Sequence, residues 1–556
     1  MSKTLVLASL VAAAFTASAS AQTADTILVN GKILTVDARE SVVEALSIRD
    51  GRIVATGTAA AMRRLAGPTT QTIDLQGRTV VPGLIDSHLH AIRAALSFST
   101  EVNWIGARSL EVALGRIRKA AQTMPRGGWL IVAGGWNEQQ FAEKRRPTQA
   151  ELDAAAPENP VYVQLGYGWA MLTDDGLRAL KIAADADLPA GGRLERDANQ
   201  QPTGAVSGPQ SAIVALFDRL PLPTYAQQVE GTRAFFRELN RLGMTGVVDP
   251  GGNNLTPPDY AALQEVWRRG ELTVRVAYAL NGQRPGHELE DYKALTALLP
   301  MNFGDGMLRF VGLGERLTEA YYNNPRASDA DTEAFYQIAR WAAQRGYGLT
   351  QHWGPDATVD QLLDVFDRVN REIPIAPLRW SIAHLNDASP KSLERMKALG
   401  VGWTVQDAMY FGGEAFVKQS GLEASRRVPP VVSADRVGVH IGAGTDAHRV
   451  ASYNPFTALQ WFLDGKTVSG LAMRGPEETP SRLTALRLYT KGSAWFAHDD
   501  ARGSLEAGRL ADLAVLTKDY LTVPVGEIGD TESLLTMVGG KIVYAAGPFA
   551  SLDPSR

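Results

Sequence analysis

A chain of 556 residues is too long for one compact core and calls for two domains, one of them large. Its 45% hydrophobic and 21% charged residues are ordinary for a soluble globular protein, and a formal net charge of −4 argues against a nucleic-acid or anionic-membrane partner held by bulk electrostatics. Cysteine is absent, which excludes disulfides, thiolate nucleophiles, Cys-ligated zinc and the lipid-bearing cysteine of an anchored lipoprotein. Any metal must therefore be held by His, Asp, Glu or a modified Lys.

Residues 1–21 read as a cleaved secretory signal. Lys3 supplies a short positive region, Leu5 to Phe15 is nearly all apolar, and Ala19-Ser20-Ala21 gives a small-x-small cleavage pattern before Gln22. The apolar run is too short to cross a bilayer core, which needs about 20 residues; a retained amphipathic anchor is the alternative. No later segment is long and apolar enough to span. The mature chain is expected to be soluble and periplasmic or secreted, with no integral membrane segment.

Between Asp25 and Val80 the pattern is one of short strands and tight turns. Ile27-Leu28-Val29 meets Lys32-Ile33-Leu34-Thr35-Val36 across Asn30-Gly31, and Ala45-Leu46-Ser47-Ile48 meets Arg52-Ile53-Val54-Ala55 across Asp50-Gly51. Both dipeptides are hairpin signals. At the other end, Leu513–Leu516 and Leu534–Val538 lead through Gly539-Gly540 into Lys541–Tyr544. This predicts a small composite β-domain from 22–80 and 500–556, closing on a domain of 81–499.

That middle domain alternates apolar strands with amphipathic helices. The predicted strands include Thr245–Asp249, Val274–Tyr278, Arg309–Leu313, Gly348–His352, Trp380–His384, Gly402–Gln406 and His440–Asp446, with helices such as Asp329 to Gln344 and Pro390 to Leu399 between them. The alternation predicts an α/β fold of the (β/α)8 TIM-barrel type. A long insertion, about 97–240, separates the first strand from the next, far beyond a βα connection of about 2–6 residues. It is expected to cover the barrel mouth.

The first strand, Val80 to Asp86, runs into His88-Leu89-His90. In extended backbone residues i and i+2 face one side, so both imidazoles can reach one ion. Alone this pair is weak evidence. The chain has only eight histidines, however, and His88, His90, His352 and His384 all end predicted strands, as does Asp446. Catalytic groups of (β/α)8 enzymes collect at those ends. His287 and His498 look like surface residues, His440 begins a strand, and His448 is either a supporting residue or simply exposed.

These residues carry a resemblance. Pro82-Gly83-Leu84-Ile85-Asp86-Ser87-His88-Leu89-His90, Gly135-Trp136-Asn137, Arg146-Pro147-Thr148 with Glu151-Leu152-Asp153, and Gly503 to Asp512 resemble the amidohydrolase superfamily, family 3, related to N-substituted formamide deformylase. The resemblance covers essentially all of the mature chain. It implies a barrel plus composite β-domain, with His88 and His90 on a first divalent metal and His352 and His384 on a second or shared one. Zinc suits such a His/carboxylate set, as one ion or two. Asp446 then takes a proton from the attacking water and passes it to the leaving amine.

Two departures follow. Many relatives bridge two metals with a carboxylated lysine on a middle strand, but no lysine lies between Lys293 and Lys391 here; Glu315 is the expected substitute, the other reading being a partner of Arg316 or a turn cap. Where relatives carry Asp-Gly-His, this chain has Gly166-Tyr167-Gly168, so formamide specificity is not expected to transfer. Trp136 and Asn137 are candidates for substrate contact or for packing of the cover, and Tyr321, Tyr322, Trp353 and Trp403 for a pocket lining or for core. The leading function is an exported, metal-dependent hydrolase cleaving an amide or N-acyl C–N bond of a small molecule. A lactone or ester hydrolase on the same site, and a non-catalytic exported binding protein with a degenerate site, are the alternatives. A homo-oligomer stays open.

Overall fold

The computed structural model describes residues 23–252 and 255–555, so the expected secretory signal lies outside the described residues. At the centre stand eight parallel strands: β1 (Leu84–Asp86), β2 (Met244–Asp249), β3 (Arg275–Leu280), β4 (Leu308–Leu313), β5 (Gly348–Trp353), β6 (Ser381–His384), β7 (Gly402–Gln406) and β8 (Ile441–Gly444). Their order in space is their order in the chain. Beyond the last ladder pairs, the Ser87 amide donates to the Ala443 carbonyl (3.0 Å) and the Asp446 amide to the His88 carbonyl (2.8 Å), drawing β8 against β1. The result is the nearly closed α/β barrel that the alternation predicts.

The surrounding helices show why this sequence folds this way. In Asp329–Gln344 the Ser328 hydroxyl accepts the Asp331 amide at 3.2 Å while the Asp331 carboxylate reaches back to Ser328, so the first orphan amides are satisfied. Phe335, Ile338, Ala339 and Ala342 then repeat at helical spacing and are buried against the strands. Pro390–Leu399 starts with Pro after the Ser389 cap and stops at Gly400, whose φ of 69° is the left-handed conformation that ends helices.

Both chain ends build the β-region. A six-stranded sheet runs Lys541–Ala545, Ser533–Val538, Leu513–Leu516, Thr79–Pro82, Lys32–Leu34, Val42–Val43, so Val80 pairs with Ile33 on one side and Val515 on the other. A four-stranded sheet holds Arg52–Gly57, Ala45–Arg49, Ala24–Val29 and Ala66–Asp74. Their shared core includes Leu28, Ile33, Ile48, Leu513, Val515 and Met537. Asp50-Gly51 and Gly539-Gly540 turn hairpins, but Asn30-Gly31 does not. The Asn30 φ of 58° bends the chain from one sheet into the other, and the Gly31 and Lys32 amides go to Glu44 and Arg78. The dipeptide signals the bend; which strand lies opposite is decided by burial.

The insertion forms a separate layer. Its five-stranded sheet runs Arg193–Arg196, Pro202–Ser207, Trp169–Leu172, Val161–Leu165, Leu130–Val132 and packs, with Leu110–Ala121 and Gln149–Ala155, around its own aromatic core. The helix Tyr225–Arg241, inside the expected cover limits, belongs instead to the barrel wall: its Val229, Phe235, Phe236 and Leu239 join the barrel core. The cover is tied to the loop after β8. Glu101 sits 3.1 Å from the His448 imidazole and 3.4 Å from the Arg449 guanidinium, and the Gly135 amide donates to the Arg449 carbonyl. His448 is thus buried rather than exposed.

Burial pushes the Glu101 carboxyl up, but Arg449 and then His448, with hydrogen bonds from His448 and Ser97, bring it to about 2. A depressed carboxyl stabilises the fold above its unfolded pKa and loses that contribution as pH falls through the folded value. The stability gap between wild type and Glu101→Gln should therefore be full above pH ~4.5, about 3 kcal/mol, and shrink toward pH ~2. Denaturant titrations at stepped pH read this; a gap that grows on acidification contradicts it.

Candidate metal centre

All eight strands point the same way, so their C-terminal ends share one face. Six side chains from that face meet. The buried Glu315 carboxylate is the hub: its Oε2 lies 3.3 Å from His88 Nε2, 3.1 Å from His352 Nδ1 and 3.4 Å from His384 Nε2, and its Oε1 lies 3.3 Å from His90 Nε2. Asp446 Oδ1 faces the same pair of imidazoles, 3.2 Å from His90 Nε2 and 3.7 Å from His88 Nε2. Glu315 contacts the histidines rather than Arg316, whose guanidinium covers the Tyr322 ring and reaches Glu319.

Local backbone aims these groups. Gly314, with φ of 152°, leaves room for Thr350 of β5: a side chain there would strike the Thr350 carbonyl at 2.5 Å, and the close approach turns Glu315 inward. His384 and Asp446 themselves sit at φ of 73° and 56°, conformations costing non-glycine residues about 1–3 kcal/mol each. The surroundings hold them there. The His384 amide donates to the Gln406 side chain (3.0 Å) and its carbonyl accepts from the Trp403 indole (2.8 Å). Asp86 accepts the His88 amide (2.9 Å) and the Thr445 hydroxyl (2.7 Å), linking the metal-facing ends of β1 and β8. Asp249 accepts the Ile92 and Gly251 amides and fixes the chain just after His90.

The electrostatics suit a cation. Burial pushes Glu315 up, yet the charges of His88 and His352, and hydrogen bonds from His352 and His384, hold it well below the usual carboxylate range. Asp446 is likewise lowered against burial by His90, His384 and His88. Burial and Arg93 would lower His90, but Asp446 and Glu315 raise it to about 10; burial and His384 push His352 to about 4. Two ionised carboxylates thus draw positive charge onto imidazoles in a buried site, a demand that a divalent ion meets with neutral imidazoles. Both ring nitrogens of His88 and Nδ1 of His90 are buried without a hydrogen-bond partner among the described residues. His88, His90 and Glu315 bring ligand atoms within 4.8 Å of one another, and so do Glu315, His352 and His384. The residues fit one divalent ion or two.

Other candidates fall elsewhere. Trp136 is buried in the cover core, its indole donating to the Gln164 carbonyl at 2.7 Å and its ring stacking on Phe141. Asn137 caps a turn and donates to the Phe411 carbonyl (3.4 Å). Their contacts are those of packing. Tyr321, Trp353 and Trp403 are fully buried core, whereas the half-buried Tyr322 places its hydroxyl 3.4 Å from His352 Nε2. His287 is exposed as expected, but His498 is not a surface residue: it lines the inner end of the barrel with Ser381 and Thr404, and burial lowers it to about 4. The supporting roles of Asp86, Asp249, Thr445 and Gln406 are not legible in the sequence, where Asp86 stands only as part of the strand-one motif. Asp407, at the end of β7, is buried with neither oxygen hydrogen-bonded among the described residues, and burial with Asp86 and Asp446 nearby pushes it well above the carboxylate range.

The model of the amidohydrolase family matches residues 71–544. The chain belongs to the amidohydrolase family, metal-dependent hydrolases of C–N bonds. An N-substituted formamide deformylase of Arthrobacter pascens is 27% identical over 94% of this chain and 99% of its own. Among solved structures, an uncharacterised metal-dependent hydrolase of Pyrococcus furiosus superposes at a TM-score of 0.64 with 23% identity, covering 89% of this chain and all of that one. A zinc complex of an atrazine chlorohydrolase from Arthrobacter aurescens TC1 superposes at 0.51 with 18% identity, over 94% and 95%. The fold of this amidohydrolase is theirs.

Removing the Asp86 carboxylate should show how far that fold depends on the β1–β8 link. Asp86→Ala leaves the His88 amide and the Thr445 hydroxyl buried without an acceptor, each worth about 1–3 kcal/mol. A loss of roughly 3 kcal/mol or more in urea-unfolding stability is expected, and a variant as stable as wild type contradicts the assignment.

Proposed function

We propose that this amidohydrolase hydrolyses an amide or N-acyl C–N bond of a small molecule, using zinc held by His88, His90, Glu315, His352, His384 and Asp446. The convergence of these six side chains from β1, β4, β5, β6 and β8 on one point carries the reading. A divalent ion held there would supply Lewis-acid chemistry, lowering the pKa of water from roughly 15.7 to about 7 and polarising a carbonyl. Glu315, facing all four imidazoles, is the carboxylate that would hold the metal together with them. Asp446 is the more open carboxylate, its side chain 19% exposed against 6% for Glu315. It is therefore the base that takes the proton of the attacking water and returns it to the leaving nitrogen. Tyr322 stands on the same rim, its hydroxyl 3.4 Å from His352 Nε2. The zinc in the chlorohydrolase complex and the deformylase's action on N-substituted formamides support metal and bond type; the lack of a histidine in Gly166-Tyr167-Gly168, where relatives carry Asp-Gly-His, points to a different substrate.

Purified protein should contain zinc that chelation removes together with turnover of some member of an N-formyl, N-acyl and carbamate panel. Asp446→Asn should cut that turnover roughly 100- to 10,000-fold while leaving most of the metal. Glu315→Gln should lower zinc content by an equivalent or more. Zinc well below one equivalent, with no activity restored by added divalent ions, defeats the reading; activity only on lactones or esters moves it to C–O cleavage.

Lys3, the Leu5 to Phe15 run and Ala19-Ser20-Ala21 support export to the periplasm or beyond. Intact-mass analysis of protein made with the full coding sequence should then find a chain beginning at Gln22 outside the cytoplasm. A cytoplasmic chain retaining residues 1–21 contradicts this.

A further inference from the structure

Beside the metal centre a cavity of about 200 Å³ opens under the cover, lined from the barrel by Arg93 and from the cover by Gln164, Tyr167 and Phe217. Two residues connect it to the metal-binding cluster. Arg93 lies three positions after His90, in the helix Ala91–Ser97 that starts there, and Arg449, which also lines the cavity, lies three positions after Asp446.

The polar groups of this cavity divide into committed and free. Arg449 is committed: it pairs with Glu101, donates to the Ala133 carbonyl at 3.1 Å and lies over the Phe217 ring. Gln164 takes the Tyr162 hydroxyl and donates to the Gly166 carbonyl. Asp259 accepts the Thr256 amide and hydroxyl, and Asp218 is exposed. Arg93 has no hydrogen bond or ion pair among the described residues, and its Nε is buried without a partner. The buried carboxylates Asp249 and Glu101 are already taken, the first by the Ile92 and Gly251 amides and the second by His448 and Arg449. The Tyr167 hydroxyl is also without a partner among the described residues. A half-buried guanidinium left unpaired is costly unless something supplies its counter-charge.

We infer that Arg93, with Tyr167, binds a carboxylate of the substrate, so that this enzyme acts on N-acyl compounds carrying an acid group and an apolar body. The apolar body has Leu96, Ile131, Phe217 and Leu220 to lie against. The inference rests on the amide-hydrolase reading and names its substrate class. It also explains the missing imidazole: at Gly166-Tyr167-Gly168 the cover offers a neutral donor beside a cation, an arrangement for holding an anion.

The test is a panel of N-formyl and N-acetyl amino acids with apolar side chains, in both configurations, each beside its neutral carboxamide. Calorimetric binding and turnover are measured separately on zinc-loaded wild type, Arg93→Met and Arg93→Lys. Acids should bind at least tenfold tighter than their amides; Arg93→Met should lose roughly 10- to 100-fold toward acids and almost nothing toward amides. Arg93→Lys, keeping the charge without the fork, should retain part of the preference. Turnover of acids and amides alike by wild type overturns the anion site and leaves the amide-hydrolase reading standing. Binding of acids that depends on Arg93 with no turnover of either class keeps the anion site and defeats that reading. A preference for acids that survives in Arg93→Met, or no binding of any acid, overturns the inference.

Discussion

The structure turns on one buried carboxylate. Glu315 is 4% exposed, and an ionised acid at that depth is stable only among opposite charges or proton donors on every side. Meeting that demand sets much of the barrel's upper end. His88 and His90 must come from one strand with both rings facing inward, His352 and His384 from strands five and six, and β4 must end in glycines that press it against β5 before turning Glu315 inward. The helix-capped α/β scaffold provides rigidity for this, since His384 and Asp446 are held at backbone angles that a looser frame would relax.

The same demand explains why the barrel's closure and its chemistry are hard to separate. β1 and β8 meet through Asp86, Thr445 and the Asp446 amide, and these contacts also place His88 and Asp446. The composite β-region continues this line outward: Thr79–Pro82, sandwiched between strands from the two chain ends, runs directly into β1. Anchoring the entry to the first strand on both sides limits how far the H-x-H pair can shift.

How much of this could be read from the sequence depends on whether a residue belongs to a repeating pattern. The barrel was legible because eight apolar runs alternate with helical ones, and His88, His90, His352, His384 and Asp446 were legible because each ends such a run. Glu315 followed from the resemblance, as the strand-end carboxylate in a stretch that lacks the lysine with which many relatives bridge two metals. Groups tied to no period were missed. Asp249 and Gln406 act through hydrogen bonds to backbone far off in the chain, and the burial of His448 and His498 comes from elements that no local pattern links. Asn30-Gly31 shows the converse: its turn chemistry was read correctly, while the strand it faces is a tertiary choice. Gly135-Trp136-Asn137 drew notice as a motif, and its contacts place it in the cover's packing.

These differences point to a division of labour in the fold. The barrel ends hold the side chains that act on the bond, and their spacing is fixed by strand geometry, so this constellation tolerates little change. The cover reaches the cavity beside the centre through the turn holding Tyr167, and it is joined to the barrel by Glu101 with Arg449 and by the Asn137 side chain on the Phe411 carbonyl. A layer attached this way can alter its turn without disturbing Glu315. The free charge of Arg93 lies on the barrel side of that seam, and the uncommitted hydroxyl of Tyr167 on the cover side. A ligand bridging them would be held by both layers at once, so the seam is where one metal-binding barrel can be given a substrate of its own.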